Sequence, residues 1–170
     1  TGMNANTLFT INELNNTYLV GANELSFTNF EYVNGGSAND TFNIQAANHQ
    51  IKEYIGGAGD DSFNIIGEVT VPGLINGQGG TDRLNYSDYN HGVLVDLASH
   101  LAQAIFGGAA GGIFGIDWVT GSNYADTLIG DENDNTFEGL DGDDILIGAA
   151  GNDLLKGGWG SDIYKFLMDW

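Results

Sequence analysis

Large apolar residues recur at a fixed interval in the last third of the chain: Leu128, Phe137, Leu146, Leu155 and Tyr164, one every nine residues. In the clearest cases each sits between two polar residues, the alternation of a short strand with its middle side chain turned inward. Six residues rich in Gly and Asp separate successive strands, and these types accept the positive φ angles of tight turns. The stretch therefore reads as five units, GSNYADTLI, GDENDNTFE, GLDGDDILI, GAAGNDLLK and GGWGSDIYK, opening at Gly121, Gly130, Gly139, Gly148 and Gly157. One three-residue strand buries almost nothing alone, whereas coils stacked about 4.8 Å apart bury a continuous ladder of Leu, Phe, Ile and Tyr. Two units per turn predict an all-β fold, a flattened, right-handed parallel β-roll or β-helix solenoid.

Earlier in the chain the period changes. GGSANDTFN, GGAGDDSFN and GQGGTDRLN begin at Gly35, Gly56 and Gly77, separated by the connectors IQAANHQIKEYI and IIGEVTVPGLIN. This predicts coils of about 21 residues over 35–98, each with one turn-rich loop and one longer side, with Phe42, Phe63 and Leu84 stacked inward. Residues 1–34 alternate around Leu8–Ile11, Tyr18–Val20 and Leu25–Tyr32 and lack the Gly–Asp loop, as expected of entering strands or an N-terminal cap. The passage from Tyr86 to Thr120 breaks the motif and leaves a motif-poor coil at 99–120. It holds two expected strands, around Val93–Leu97 and Ile113–Val119. Gly77 and Gly121 lie 44 residues apart, close to two coils of 22, so one solenoid is expected to continue into the nonapeptide roll at 121–170. GIFGIDWVT (Gly112–Thr120) is in phase with the later units, with Gly115 and Asp117 at loop positions; a buried strand, with Trp118 as packing, is the favoured reading.

Charge sharpens this picture. The chain has 27 Gly, one Pro, no Cys and 23 acidic against 4 basic residues, a formal charge of −19. That sign excludes nucleic acid and anionic membrane surfaces as partners. Membrane insertion is not expected, because the longest apolar clusters are interrupted by Asp96 and Asp117. A merely solvated acidic face does not explain acids that recur in fixed phase with glycines. The sixth position of each unit holds Asp40, Asp61, Asp82, Asp126, Asn135, Asp144, Asp153 or Asp162. Stacking sets each beside its equivalent one coil away. Two carboxylates about 4 Å apart repel by roughly 1 kcal/mol in water and by about 4 kcal/mol at an effective dielectric of 20. A hard divalent cation turns that repulsion into attraction, and oxygen ligands on flexible loops without His or Cys select calcium. Asp40, Asp61 and Asp82 form a single acidic ladder with room for two ions.

The units resemble the hemolysin-type calcium-binding nonapeptides of RTX proteins, G-G-x-G-x-D-x-U-x. The resemblance implies a parallel β-roll exported by type I secretion, with several calcium ions between loops of successive coils. It assigns ligand roles to the sixth-position side chains named above. It also assigns them to loop carbonyls: Gly36, Ala38, Gly56, Gly57, Ala58, Gly59, Gly77 and Gly79 in the longer coils, and Ser122, Tyr124, Asn133, Gly139, Asp141, Gly142, Gly148, Ala150, Gly157 and Trp159 in the nonapeptides. Carried over, Asp126 faces Asp144 and Asp144 faces Asp162 on one edge, while Asn135 faces Asp153 on the other. Asn135 lacks a charge, and Tyr124 and Asn133 replace the usual Gly at position four, so the Asn135/Asp153 site is expected to be the weakest of the three. Ala38 and Gln78 are milder departures.

No HExxH, GxSxG or P-loop occurs, and His49, His91 and His100 are scattered. Acid pairs such as Asp60/Asp61 and Asp143/Asp144 recur in coil after coil, which suits ion binding, since a catalytic pair is needed once. The expectation is a non-catalytic, extracellular calcium module of a larger secreted protein such as an adhesin or exoenzyme, next to neighbouring modules of a longer chain. The alternative is a polysaccharide-binding accessory module like those of RTX-bearing alginate epimerases, with Tyr86, Tyr89, Trp118, Trp159 and Trp170 as a stacking surface for a surface glycan.

Overall fold

The computed structural model describes residues 5–11, 16–20, 23–27, 31–45, 51–103 and 112–166. Among these residues every regular element is a strand. The chain enters through β1 (Leu8–Ile11), β2 (Asn16–Val20) and β3 (Asn23–Phe27). The 21-residue coils supply β4 (Tyr32–Gly36), β5 (Thr41–Ile44), β6 (Glu53–Ala58), β7 (Ser62–Ile65), β8 (Leu74–Gly79) and β9 (Arg83–Asn85). The passage between the two periods holds β10 (Leu94–Asp96), β11 (Leu101–Ala102), β12 (Ile113–Phe114) and β13 (Trp118–Thr120). The nonapeptides follow as β14 (Thr127–Ile129), β15 (Thr136–Asp141), β16 (Ile145–Ile147), β17 (Leu154–Trp159) and β18 (Ile163–Lys165).

One nine-stranded sheet spans the solenoid in the order β17-β15-β13-β9-β7-β5-β1-β2-β3. From β1 to β17 it is parallel, with Phe9, Phe42, Phe63, Leu84, Val119, Phe137 and Leu155 in one register row. Phe42, Phe63, Leu84, Val119 and Phe137 are fully buried. The rings of Phe9, Phe42 and Phe63 stack with centroids 4.7 Å apart, adding about 0.5–1.5 kcal/mol per pair beyond area burial. β2 and β3 pair antiparallel beyond β1, so β3 becomes the last strand of the sheet at that end.

The opposite wall is made of two shorter sheets. The four-stranded sheet β12-β8-β6-β4 backs the 21-residue coils and contributes Val33, Tyr54, Ile75 and Ile113 to the core. The five-stranded sheet β11-β10-β14-β16-β18 backs the nonapeptides and contributes Val95, Leu128 and Leu146. Successive nonapeptide strands thus alternate between two walls, as two units per turn require. The longer side of the 21-residue coils fills its share of the core with Ile51, Val69 and Val71.

The passage between the periods departs from expectation. It is one coil of 35 residues, in which Leu84 pairs with Val119, rather than two coils of 22. The extra length carries β10 and its antiparallel neighbour β11, which begin the wall that the nonapeptides extend. The stretch Ile113–Val119 is likewise not a single strand. A turn at Gly115 (φ 57°) divides β12 from β13, and the two belong to different walls. Trp118 is half-buried on the outer face, where the Arg83 guanidinium lies 4.7 Å from its ring centroid. Tyr86, a candidate for a stacking surface, is fully buried and donates its hydroxyl to the Gln103 carbonyl, and Tyr89 packs edge-on against it. Trp159 is 83% exposed; His49 and Trp170 lie outside the described residues.

Candidate metal centre

The sixth-position side chains do more than line the gap between coils. Each aspartate among them reaches back to the backbone of the coil before it. Asp40 Oδ1 accepts the Thr7 N–H at 2.6 Å, Asp61 Oδ1 the Asp40 N–H at 2.7 Å, and Asp82 Oδ1 the Asp61 N–H at 2.8 Å. Asp117 Oδ2 accepts the Asp82 N–H at 3.0 Å and carries the ladder across the long coil. Asp153 Oδ1 accepts the Asn135 N–H at 2.9 Å on the same edge. The second edge repeats the pattern: Asp126 Oδ1 takes the Val93 N–H at 2.7 Å, Asp144 Oδ1 the Asp126 N–H at 2.8 Å, and Asp162 Oδ1 the Asp144 N–H at 3.1 Å. The structure therefore brings together each pair that the resemblance set face to face.

That bond uses one oxygen of each carboxylate. The other folds over the loop against the first glycine of its own unit. Oδ2 of Asp40, Asp61, Asp82 and Asp144 is buried there without a hydrogen-bond partner. At Gly35 the place of a missing Cβ is hemmed by Asp40 Oδ2 and by the Gly56 carbonyl of the next coil. The same pairing occurs at Gly56 (Asp61 Oδ2, Gly77 carbonyl), Gly121 (Asp126 Oδ2, Gly139 carbonyl) and Gly139 (Asp144 Oδ2, Gly157 carbonyl). At Gly77 the partners are Asp82 Oδ2 and the Gly115 carbonyl. Glycine opens these loops because a carboxylate oxygen and a carbonyl oxygen from the adjacent coil occupy the space any larger residue would take.

Among the described residues no three acidic or histidine side chains converge on one point. Any cation in these gaps would draw the rest of its ligands from main-chain carbonyls, an all-oxygen donor set that suits calcium. The residues fit that ion. An unpartnered buried carboxylate oxygen is costly by itself, and a carbonyl beside it adds a second lone pair aimed at the same gap.

Desolvation by burial moves these carboxyls upward. Asp61 is pushed up to about 7, with the charges of Asp82 and Asp40 adding to the effect of burial. Asp82 and Asp144 rise to about 6 for the same leading reason, and Asp40 and Asp126 also lie above the ordinary carboxylate value. In the absence of a cation these groups resist ionisation at the pH where their neighbours are charged.

The remaining positions of the expected ligand set separate into two groups: the Gly79 and Trp159 carbonyls already accept the Gly59 and Gly142 N–H at 2.9 and 2.8 Å, whereas others pack against stacked glycines. Carbonyls of Gly36, Ala38, Gly59, Tyr124, Asn133 and Gly142 press against the glycines stacked above them, so they face the inter-coil gap. The loops that open at Gly121 and Gly130 differ from the rest. Ser122 donates its N–H to Asp126 Oδ2 at 2.7 Å and its hydroxyl to Oδ1 at 2.9 Å, so both Asp126 oxygens already have partners. Asp131 donates its N–H to Asn135 Oδ1 at 3.0 Å, while its own Oδ1 accepts the Asn133 N–H at 2.8 Å. Side chains at position two close these two loops from within. Elsewhere position two takes a positive φ, even where it is not glycine: Gln78 (73°), Leu140 (80°) and Ala149 (69°).

Asp117 and Gly115 stand in the same geometry as the loop positions of the other coils, Asp117 bonding the Asp82 N–H and the Gly115 carbonyl lying beside Gly77. Their signal was present in the phase of GIFGIDWVT with the later units, but the apolar Ile113 and Ile116 made a buried strand the simpler reading. The scattered histidines stand apart from both ladders: His91 pairs with Glu68 at 2.8 Å, and the His100 ring lies 4.4 Å from that of Phe114.

The RTX calcium-binding nonapeptide repeat (4 copies) matches residues 111–144 and 138–164. This part of the chain is an RTX repeat array. RTX nonapeptide repeats bind calcium, and their fold is the β-roll seen here. A comparison with curated proteins gives no match. The first RTX match begins at residue 111 and so takes in Gly115 and Asp117, whereas the 21-residue coils lie outside it. What joins those coils to the RTX array is geometric: the same sixth-position carboxylate bonds the same backbone N–H, at a spacing of 21 residues instead of 18.

Proposed function

We propose that this chain is a calcium-dependent structural module that folds outside the cell as part of a larger secreted protein. The observation that carries the reading is the buried, unpartnered Oδ2 atoms of Asp40, Asp61 and Asp82 on one edge and of Asp144 on the other, each packed with a carbonyl of the next coil around the first glycine of its loop. Ions would lie along two edges: one between Asp40, Asp61, Asp82 and Asp117, the other between Asp126, Asp144 and Asp162. Asn135/Asp153 is the weakest position, because Asn135 brings no charge and its Oδ1 already holds the Asp131 N–H.

The chain's own residues make folding depend on the ion. With 23 acidic and 4 basic side chains, the unbound chain repels itself, and stacking would place ionised carboxylates in buried gaps. Binding therefore requires the stacked geometry and stabilises it, so the free energy of binding becomes free energy of folding. In a compartment poor in free calcium the chain stays expanded; at extracellular calcium it becomes a stiff segment that spaces or stabilises its neighbours. Circular dichroism through a calcium titration tests this. The expected result is little β signal in chelator and a cooperative rise with calcium, with titration calorimetry giving several ions. A spectrum unchanged between chelator and calcium would overturn it.

A further inference from the structure

The alternation of nonapeptide strands between two walls also sorts their outward side chains. On the nine-stranded sheet one outward column reads Asn43, Asn64, Asn85, Thr120, Glu138, Lys156, all polar. The five-stranded wall is different. Its outward columns across β10, β14, β16 and β18 are Leu94, Thr127, Ile145, Ile163 and Asp96, Ile129, Ile147, Lys165. The inward row beneath them, Val95, Leu128 and Leu146, is fully buried, so the centre of this sheet is apolar on both faces. Leu94 is 39% and Ile163 51% exposed. Parallel sheets are ordinarily covered on both sides, and a flat aliphatic face open to water marks a contact surface.

The second column also indicates what covers it. Asp96 and Lys165 lie three rungs apart in it with Ile129 and Ile147 between them, and exposed Leu101 of β11 continues the column beyond Asp96. Ser99 holds the Asp96 carboxylate at the rim, donating its N–H at 3.0 Å and its hydroxyl at 2.8 Å. Rotation by half a turn about an axis parallel to the strands reverses the order of rungs and leaves position along each strand unchanged. Two copies related in this way set Asp96 of each against Lys165 of the other, Ile129 against Ile147, and Leu94 against Ile163. Thr127 then meets Ile145, and Leu101 of each copy lies beyond the contact, so the match that a two-fold interface requires is made by the four paired rungs.

We propose that the outer face of the five-stranded sheet pairs with the same face of a second copy of this chain. Four strands about 4.8 Å apart, two side chains wide, offer a few hundred Å² per copy, below the roughly 800 Å² of a standard interface. The pairing is therefore weak and concentration-dependent, with a dissociation constant of about micromolar or higher.

Sedimentation velocity of the calcium-loaded protein over a wide concentration range tests this, with circular dichroism of every variant in calcium reading folding separately. The wild type is expected to shift from monomer to dimer as concentration rises. Ile129→Thr/Ile147→Thr, which keeps strand-forming residues, is expected to remain monomeric with an unchanged calcium midpoint. Asp96→Lys and Lys165→Asp each place like charges together and weaken pairing about tenfold, whereas the double exchange restores it. A wild type that stays monomeric throughout, a dimer indifferent to the isoleucine changes, or a double exchange no better than the singles would each overturn the proposal.

Discussion

The backbone N–H of Asp61 is bonded to Asp82 Oδ1 at 2.8 Å, which leaves Asp82 Oδ2 buried with no protein partner. One carboxylate thus has two separable roles: an acceptor that sets the register between coils, and a charge that needs a cation. Asp82→Asn keeps an acceptor for the N–H and removes the charge. Asp82→Ala removes both and leaves a buried N–H unsatisfied, at a cost of about 1–3 kcal/mol. The expected outcome is a calcium midpoint raised about tenfold or more in Asp82→Asn, with one ion fewer in calorimetry, and a further loss of thermal stability in Asp82→Ala. Equal behaviour of the two variants would mean that charge and register are not separable at this position.

Acidity should act in opposite directions on the ion-free and ion-bound forms. Burial holds Asp61 at about 7 against an ordinary value of 3.8, and Asp82 and Asp144 at about 6. A carboxyl whose folded pKa is raised contributes stability that is complete below its unfolded pKa and lost as pH rises through the folded one. The ion-free chain is therefore expected to gain β structure on acidification from neutrality to about pH 5. Calcium requires the ionised carboxylates, so its midpoint should rise steeply over the same interval. Dichroism titrations at several pH values check both halves, and a midpoint independent of pH would contradict the assignment of these residues.

Much of this architecture was legible because a nine-residue period imposes its own geometry: Leu128, Phe137 and Leu146 had to face inward, and Asp126, Asp144 and Asp162 had to align. The 21-residue coils were equally readable, since Phe42 and Phe63 repeat in the same phase as Asp40 and Asp61. The long coil was not. A distance of 44 residues divides evenly on paper, but Leu84 pairs with Val119, and the additional chain forms β10 and β11 to start a new wall. Nor could the sequence show that Ser122 and Asp131 would close their own loops. Both are ordinary turn residues, and their partners depend on where the stack holds Asp126 and Asn135.

Position two offers a way to stabilise the roll without touching a carboxylate. Leu140 and Ala149 adopt φ angles of 80° and 69°, a left-handed conformation that costs a residue with a Cβ about 1 kcal/mol or more. Leu140→Gly and Ala149→Gly relieve that strain, offset in part by the greater freedom of glycine in the unfolded chain. A net gain of up to about 1 kcal/mol in calcium-loaded protein is expected, read as a higher melting temperature. Gly139→Ala, one residue away, should do the reverse, because its Cβ would meet Asp144 Oδ2 and the Gly157 carbonyl.

Asn135 tests whether the two self-closed loops depend on the ion less than the others. Its Oδ1 accepts the Asp131 N–H at 3.0 Å, and its Nδ2 donates to Asp131 Oδ1 at 3.4 Å, so position six carries no charge in this loop. Asn135→Asp would place a carboxylate beside that of Asp131 and in line with Asp153. Two such charges about 4 Å apart at an effective dielectric of 20 repel by about 4 kcal/mol, which only a cation can reverse. The variant is expected to be less structured than wild type in chelator, to fold over a narrower calcium range, and to bind the ion more tightly at this edge. Calorimetry and dichroism on the same samples separate the two effects. A variant as structured as wild type without calcium would show that this loop is closed by its own hydrogen bonds whatever charge position six carries.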